Sequence, residues 1–524
     1  METSDISVLD AFPRAAGVAL PVFSLRTRTD AGGGGILDLI PFIDWLAGWH
    51  QRVLQILPIN EADPDQASPY SALSAFATDP SYISAARLPE VLGSAAAQRW
   101  LRSLQLRRKL TALREAPQRQ RRDTYKLNIR LLEFGFAEFE ASPQTERRQR
   151  FEAFCERNAA WLSDYAEFRA LKELRAFASW ETWPDALRGR EDRALAEVRS
   201  RLARRIRFAK YLQWVAAEQW AEVRAHARAR GVLLQGDVPF VCGRDSADVW
   251  AQPHLFDLGS SAGAPPDAFS PTGQAWGLPL YDWQAMRQSG YAWWRQRARQ
   301  AGALYDLFRV DHVVGLYRTF AIPGNDGGTS GFVPPHEHEQ RDQGHTLIAT
   351  LVEQARPARL IAEDLGTVPQ WVRASLTQLH VPGYRVLRWE FEQGRMIDPR
   401  TYPALSVATT GTHDTDTLVE WWKTLGPAER AAALEALDLR SVAPRWPAPH
   451  LPLLQRMYEA GSCLTILPLQ DLFGWSERIN VPGTVTDDNW SYRLPVAIED
   501  LDRVPRIRAR MAALREMIDA TGRA

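Results

Sequence analysis

The sequence predicts an α/β protein: a (β/α)8 TIM barrel carrying a large helical insertion subdomain. Three observations predict it. Apolar runs at residues 307–310, 360–362 and 407–410 lead directly or within four residues to the acids Asp311, Glu363 and Asp414, about fifty residues apart, the length of one or two β/α units. Strand-like and helix-like patterns alternate from the start of the chain, which favours a parallel sheet. Between them, residues 94–230 are rich in Ala, Leu, Arg and Glu and are interrupted by Gly135, Gly189, Pro117, Pro143 and Pro184 alone, a composition for helices without strands.

Taken in order, residues 36–50 have helical spacing, with Leu39, Ile40, Ile43, Leu46 and Ala47 on one side. Residues 51–58 read as a buried strand stopped by Pro58. The glycine run 32–35 lacks a G-x-G-x-x-G spacing and is a loop, not a dinucleotide site. Within the helical block, Arg119, Arg121 and Arg122 read as a solvated helix end. Further strands are expected at 232–237, 304–311, 359–363, 384–389, 406–414 and 463–469, and the remaining one near 75–83. The division is therefore 1–93, first part of the barrel; 94–230, helical insertion; and 231–524, the rest of the barrel with its loops.

Lysine plus arginine and aspartate plus glutamate are equal at 63 each, so no net field draws nucleic acid or an anionic membrane surface. No apolar run approaches the ~20 residues that span a bilayer. The apolar stretch at 17–20 is cut by Pro21, unlike a signal peptide. Three widely spaced cysteines suit neither a disulfide framework nor a zinc site and point to the cytoplasm. Tryptophan is abundant, at 20 residues, and about one third of them is assigned to a ligand cleft.

In a parallel barrel all C-terminal strand ends meet at one face, so the strand-end acids converge. Asp311 has Arg309 on the same side of its strand, and that pairing keeps a carboxylate ionised, as a nucleophile requires. Glu363 precedes Asp364; repulsion and burial raise one pKa of such a pair and make a proton donor, while Asp364 suits a cap on the next helix or the pocket rim. His413 and Asp414 leave their strand through Thr-Gly-Thr and can hydrogen-bond vicinal hydroxyls. Asp237, after Gly236, is a fourth strand-end acid. No zinc-like ligand spacing accompanies these residues, and His336-Glu337-His338 reads as exposed loop, so no metal or cofactor is expected. The residues alone point to a barrel hydrolase or transferase acting on a neutral polyol. They leave open another barrel chemistry or purely structural acids.

At these positions the chain resembles glycoside hydrolase family 77, the 4-α-glucanotransferases of the α-amylase clan. The resemblance runs through Ser68-Pro69-Tyr70, Gly236-Asp237-Val238-Pro239, Arg309-Val310-Asp311-His312, Ala362-Glu363-Asp364 and Gly411-Thr412-His413-Asp414. Its most specific stretch is Gly263-Ala264-Pro265-Pro266-Asp267-Ala268-Phe269-Ser270, continuing to Gln274-Ala275-Trp276-Gly277. It implies transfer of an α-1,4-glucan segment to the 4-hydroxyl of an acceptor by a retaining mechanism. The partners implied are maltooligosaccharides, with glucose as acceptor; a plain α-glucan hydrolase is the alternative. Asp311 would be the nucleophile, Glu363 the acid/base and Asp414 the stabiliser of the distorted sugar. Tyr70 would stack beneath that sugar, His413 would help bind it, Asp237 would hold its outer hydroxyls and Arg309 would orient Asp311. His312 would face the acceptor, and Gln274 and Trp276 would lie in a loop arching over the glucan. That loop and the Trp-rich insertion would exclude water. Two departures, the acidic 59–65 segment and Asp416 where asparagine is commoner, are expected at the cleft edge, where they would alter chain-length and acceptor preference.

Overall fold

Short runs of buried residues pair side by side in the computed structural model of the chain, which describes residues 12–66, 68–142, 145–265, 274–324 and 329–524. Eight of them form one closed barrel: β1 (Ala15–Ala19), β2 (Val53–Gln55), β3 (Leu233–Val238), β4 (Leu307–Val310), β5 (Arg359–Ala362), β6 (Gly383–Val386), β7 (Ser406–Thr409) and β8 (Leu464–Pro468). Each strand pairs in parallel with its neighbours in sequence, and β8 returns to β1. Strands covered on both faces carry continuous apolar runs rather than alternation, and β4 and β7 are buried at every position.

The strand expected at 75–83 is not there. Thr78 makes a single bridge to Asn60, and Pro80–Tyr82 forms a 3-10 turn opened by its proline. The remaining barrel strand is Ala15–Ala19. Its small residues hide it from a β-propensity reading, and they are needed: a Cβ at Gly17 would sit 2.7 Å from the Cβ of Val53 on β2. Beneath that strand the buried Arg523 closes the N-terminal end of the barrel. It donates to the carbonyls of Tyr458 and Ala460 at 2.6 Å and of Ser462 at 2.9 Å, satisfying acceptors that water cannot reach.

Helices Leu39–Gly48, Ala292–Leu304, Glu337–Gln354, Gln370–Gln378 and Pro505–Ala520 follow β1, β3, β4, β5 and β8. The crossover from β6 to β7 is a small hairpin (Phe391–Glu392 with Arg395–Met396) and a 3-10 turn (Pro399–Thr401). Between β2 and β3 lie the long helices Arg121–Ala141, Ala159–Leu174 and Ala203–Ala229 with shorter ones around them. Their own aromatic core includes Phe139, Tyr211 and Trp214, with ring centroids 5.1 to 5.8 Å apart.

The arginines of this block correct the reading of a solvated helix end. Arg119 is buried, 5.4 Å from both the Phe23 and Tyr82 rings, and donates to the Ser81 hydroxyl at 3.0 Å. Arg121 pairs with the buried Asp79 at 3.0 Å, and Arg122 alone of the three stays exposed. The buried Arg119 and the half-buried Arg121 fasten the loop after β2 to the block. His336 and His338 are exposed as expected, but they start a helix rather than sit in a loop, since Glu337–Gln354 begins between them. A second sheet, antiparallel, orders Gln274–Tyr281, Phe256–Ala264, Thr319–Pro323 and Gly331–Val333. Among the described residues no helix is long and apolar enough to cross a membrane.

Candidate active site

Because the strands are parallel, residues just past their C-terminal ends share one face. Asp311 follows β4, Glu363 follows β5, and His413 and Asp414 follow β7. With Tyr70, Phe240, Trp276, His312, Asn480 and Trp490 they line a cleft of about 380 Å³, within the range of small-molecule sites.

Arg309 is the hub beneath it. On β4 it stands opposite Asp237 on β3, and its Nη1 lies 2.8 Å from both Asp237 oxygens and 2.9 Å from Asp311 Oδ1. Gly236 next to Asp237 has no alternative, because a methyl group there would overlap the Tyr305 ring. The Tyr70 hydroxyl donates to Asp237 Oδ2 at 2.7 Å. Asp237 is therefore buried, and both its oxygens are bonded, by Arg309 and Tyr70. In this arrangement it supports the cleft floor through Arg309 and Tyr70.

Glu363 accepts from the His312 backbone N–H at 2.7 Å and from that of Leu365 at 3.2 Å. Burial is the largest influence on its carboxyl. Arg309 opposes it, Asp311 adds to it, and the pKa is pushed up to about 7. His312 makes the first of these bonds from a left-handed backbone, φ 45°, a conformation that costs a non-glycine residue about 1–3 kcal/mol. Its ring is packed edge-on against Trp276 at 5.0 Å and Phe240 at 5.6 Å, and burial lowers its pKa. Asp364 does not cap a helix. It is buried and accepts from the Tyr384 N–H at 2.7 Å and from Arg373 at 3.2 Å, tying β5 to β6.

His413 and Tyr70 stack at 5.2 Å with 20° between planes, making a flat apolar platform. Burial pushes the Asp414 carboxyl up, but His413 at 3.2 Å and the Asn480 amide at 2.6 Å outweigh it and hold it down to about 2. The same contact raises His413 against the downward pull of its own burial. One cleft thus holds a carboxyl that keeps its proton near neutrality and another that does not. Among the described residues no group of His, Cys, Asp or Glu could hold a metal ion.

Other expectations are corrected. Gln274–Tyr281 is a strand of the antiparallel sheet, not a loop; Trp276 lines the cleft from it, while Gln274 is exposed at its head and is not part of the lining. Asp267 lies outside the described residues. Of the tryptophans, Trp276 and Trp490 line the cleft, while Trp49, Trp250, Trp294 and Trp422 are completely buried. The described lining contains no residue from 94–230. Glu61, in the acidic 59–65 segment, is buried under that block rather than at the cleft edge. Asn480 and Trp490 were not anticipated. The turn-forming Arg-Ile-Asn-Val-Pro-Gly after β8 was the available signal for Asn480, and nothing singled out Trp490 among twenty.

Comparison with known proteins agrees along the whole barrel. The profile of glycoside hydrolase family 77, described as 4-alpha-glucanotransferase, matches residues 20–498. A 4-alpha-glucanotransferase of Chlamydia caviae is 33% identical over 504 residues, 93% of this chain and 91% of that protein. One of Thermus thermophilus is 33% identical over 509 residues, 92% and 95% of the two. The amylomaltase of Streptococcus agalactiae, solved in complex with acarbose, has a TM-score of 0.82 at 28% identity, covering 98% of this chain and 100% of that one. The chain belongs to glycoside hydrolase family 77 and is an enzyme, a 4-α-glucanotransferase.

Proposed function

We propose that transfer runs by retaining double displacement, with Asp311 as nucleophile and Glu363 as acid/base. Asp311 attacks the anomeric carbon while Glu363 gives its proton to the glycosidic oxygen, and the leaving chain departs with a free 4-hydroxyl. Glu363, now a carboxylate, takes the proton from an acceptor 4-hydroxyl, which displaces Asp311 with net retention. Asp414 and His413 hold the vicinal hydroxyls of the distorted ring over Tyr70. The observation that carries this reading is the contrast in one cleft: Glu363 at about 7 beside an Arg309-paired Asp311 and an Asp414 at about 2. The acarbose complex of the Streptococcus agalactiae relative supports an α-glucan in this cleft, and maltooligosaccharides with glucose as acceptor complete the proposal. The division into 1–93, 94–230 and 231–524 and a cytoplasmic location belong to the same reading, supported by the helices between β2 and β3 and by free Cys155, Cys242 and Cys463.

Maltotriose tests it. A transferase yields glucose with a ladder of longer oligosaccharides; products only shorter than the substrate would overturn transfer. The pH profile tests the acid. Its pKa is raised, so the working proton is present below about 7 and lost above it. kcat/KM is expected to fall as pH rises through that value, and Glu363→Gln to remove the basic limb. A flat profile between about pH 6 and about pH 9 would exclude Glu363 as the donor.

A further inference from the structure

Asp414 does not hold its own position. Its segment leaves β7 through Thr412 and is tied to a second segment, after β8, by Arg478 and Asn480. Arg478 Nη2 donates to the Asp414 carbonyl at 2.9 Å and Nε to the Asn480 carbonyl at 3.3 Å, and Nη1 pairs with Asp416 Oδ1. Asn480 in turn donates from its side chain to Asp414 Oδ1 and from its backbone to the His413 carbonyl at 3.2 Å. Two donors of one planar guanidinium thus fix the backbone of Asp414 and of its carboxylate's partner Asn480, and the third, on Asp416, fixes the guanidinium.

We propose that Arg478 and Asp416 are positioning residues for transfer, acting through the backbone of Asp414 and the amide of Asn480. The proposal rests on the role given to Asp414 above. Arg478 reaches the Asp414 carbonyl and not the carboxylate, so its effect is geometric. Misplacement of a reacting group by about 1 Å costs about 100-fold in rate. Because Asp414 acts on the distorted ring, the loss falls on kcat rather than on ground-state binding.

The test is maltotriose kinetics on Arg478→Met, Asp416→Ala and Asp416→Asn, each alone and with Asp414→Asn. Expected are kcat losses of about 10- to 100-fold for Arg478→Met and Asp416→Ala with KM within about twofold, and recovery of most activity in Asp416→Asn, whose amide oxygen still accepts. With Asp414→Asn present, neither further change should cost more than about twofold, since the group they position is already gone. An equal loss in both backgrounds, a change in KM alone, or no loss would overturn the proposal. If Arg478→Met does not fold, Asp416→Ala decides by the same criteria. Full activity of Asp414→Asn alone would instead refute the role assigned to Asp414.

Discussion

Asp311→Asn is expected to lower maltotriose disproportionation by at least about 10⁴-fold, because the amide cannot form the glycosyl ester on which both half-reactions depend. The change should be silent in the fold. Asparagine has the same shape, and Arg309 keeps Asp237, at 2.8 Å to both oxygens, so no buried charge is stranded. Two measurements decide it together: glucose release under saturating substrate and the thermal midpoint against the parent enzyme. An unchanged midpoint with activity above about one hundredth of the parent would move the nucleophile elsewhere. Asp414 is the acid to consider next, since its low pKa also keeps it charged.

The acids were legible because barrel geometry needs little information. A short buried strand that leads directly or within a few residues to a carboxylate, three times over, places the carboxylates on one face whatever lies between. The pairing of Arg309 with Asp311 follows from the two-residue period of a strand. What was not legible depends on partners distant in sequence. Asp237 reads as another strand-end acid, yet its oxygens are claimed by Arg309 and Tyr70, which only the folded register brings to it. Arg119 looks like a solvated charge until Phe23 and Tyr82 close over it.

Strand β1 failed for a different reason. Ala-Ala-Gly-Val-Ala has weak strand propensity, and its place is set by contact with Val53 and Ile466 on either side. Residues 75–83 had the better composition, with Phe76, Tyr82 and Ile83, but Pro80 turns the chain and those side chains go into the core. Asn480, which orients Asp414, comes from a loop with no strand to announce it. A site built on strand ends is readable from sequence; the loops that adjust it are not.

The same dependence on distant partners governs how Tyr70 is held, and it predicts the largest loss of stability. Glu61 is buried in the loop after β2, and its backbone pairs with Leu73 at 2.7 Å and Ala77 at 2.8 Å, closing the loop that presents Tyr70. Its carboxylate meets Arg169 Nε at 2.6 Å and the Tyr165 hydroxyl, both from helix Ala159–Leu174. Arg169 is equally buried and also reaches Glu173 and the Tyr125 hydroxyl at 2.5 Å each. Arg169→Met would leave Glu61 charged in an apolar site or force it to take a proton. Breaking one side of such a pair costs about 3–5 kcal/mol. Urea midpoints should therefore fall steeply for Arg169→Met, and less for the double change Arg169→Met with Glu61→Gln, which strands no charge. In whatever fraction of Arg169→Met remains folded, a loosened Tyr70 should raise KM for maltotriose more than it lowers kcat, because the platform binds ground state and transition state alike. A double variant no more stable than the single one would mean that the stranded charge is not what the fold loses.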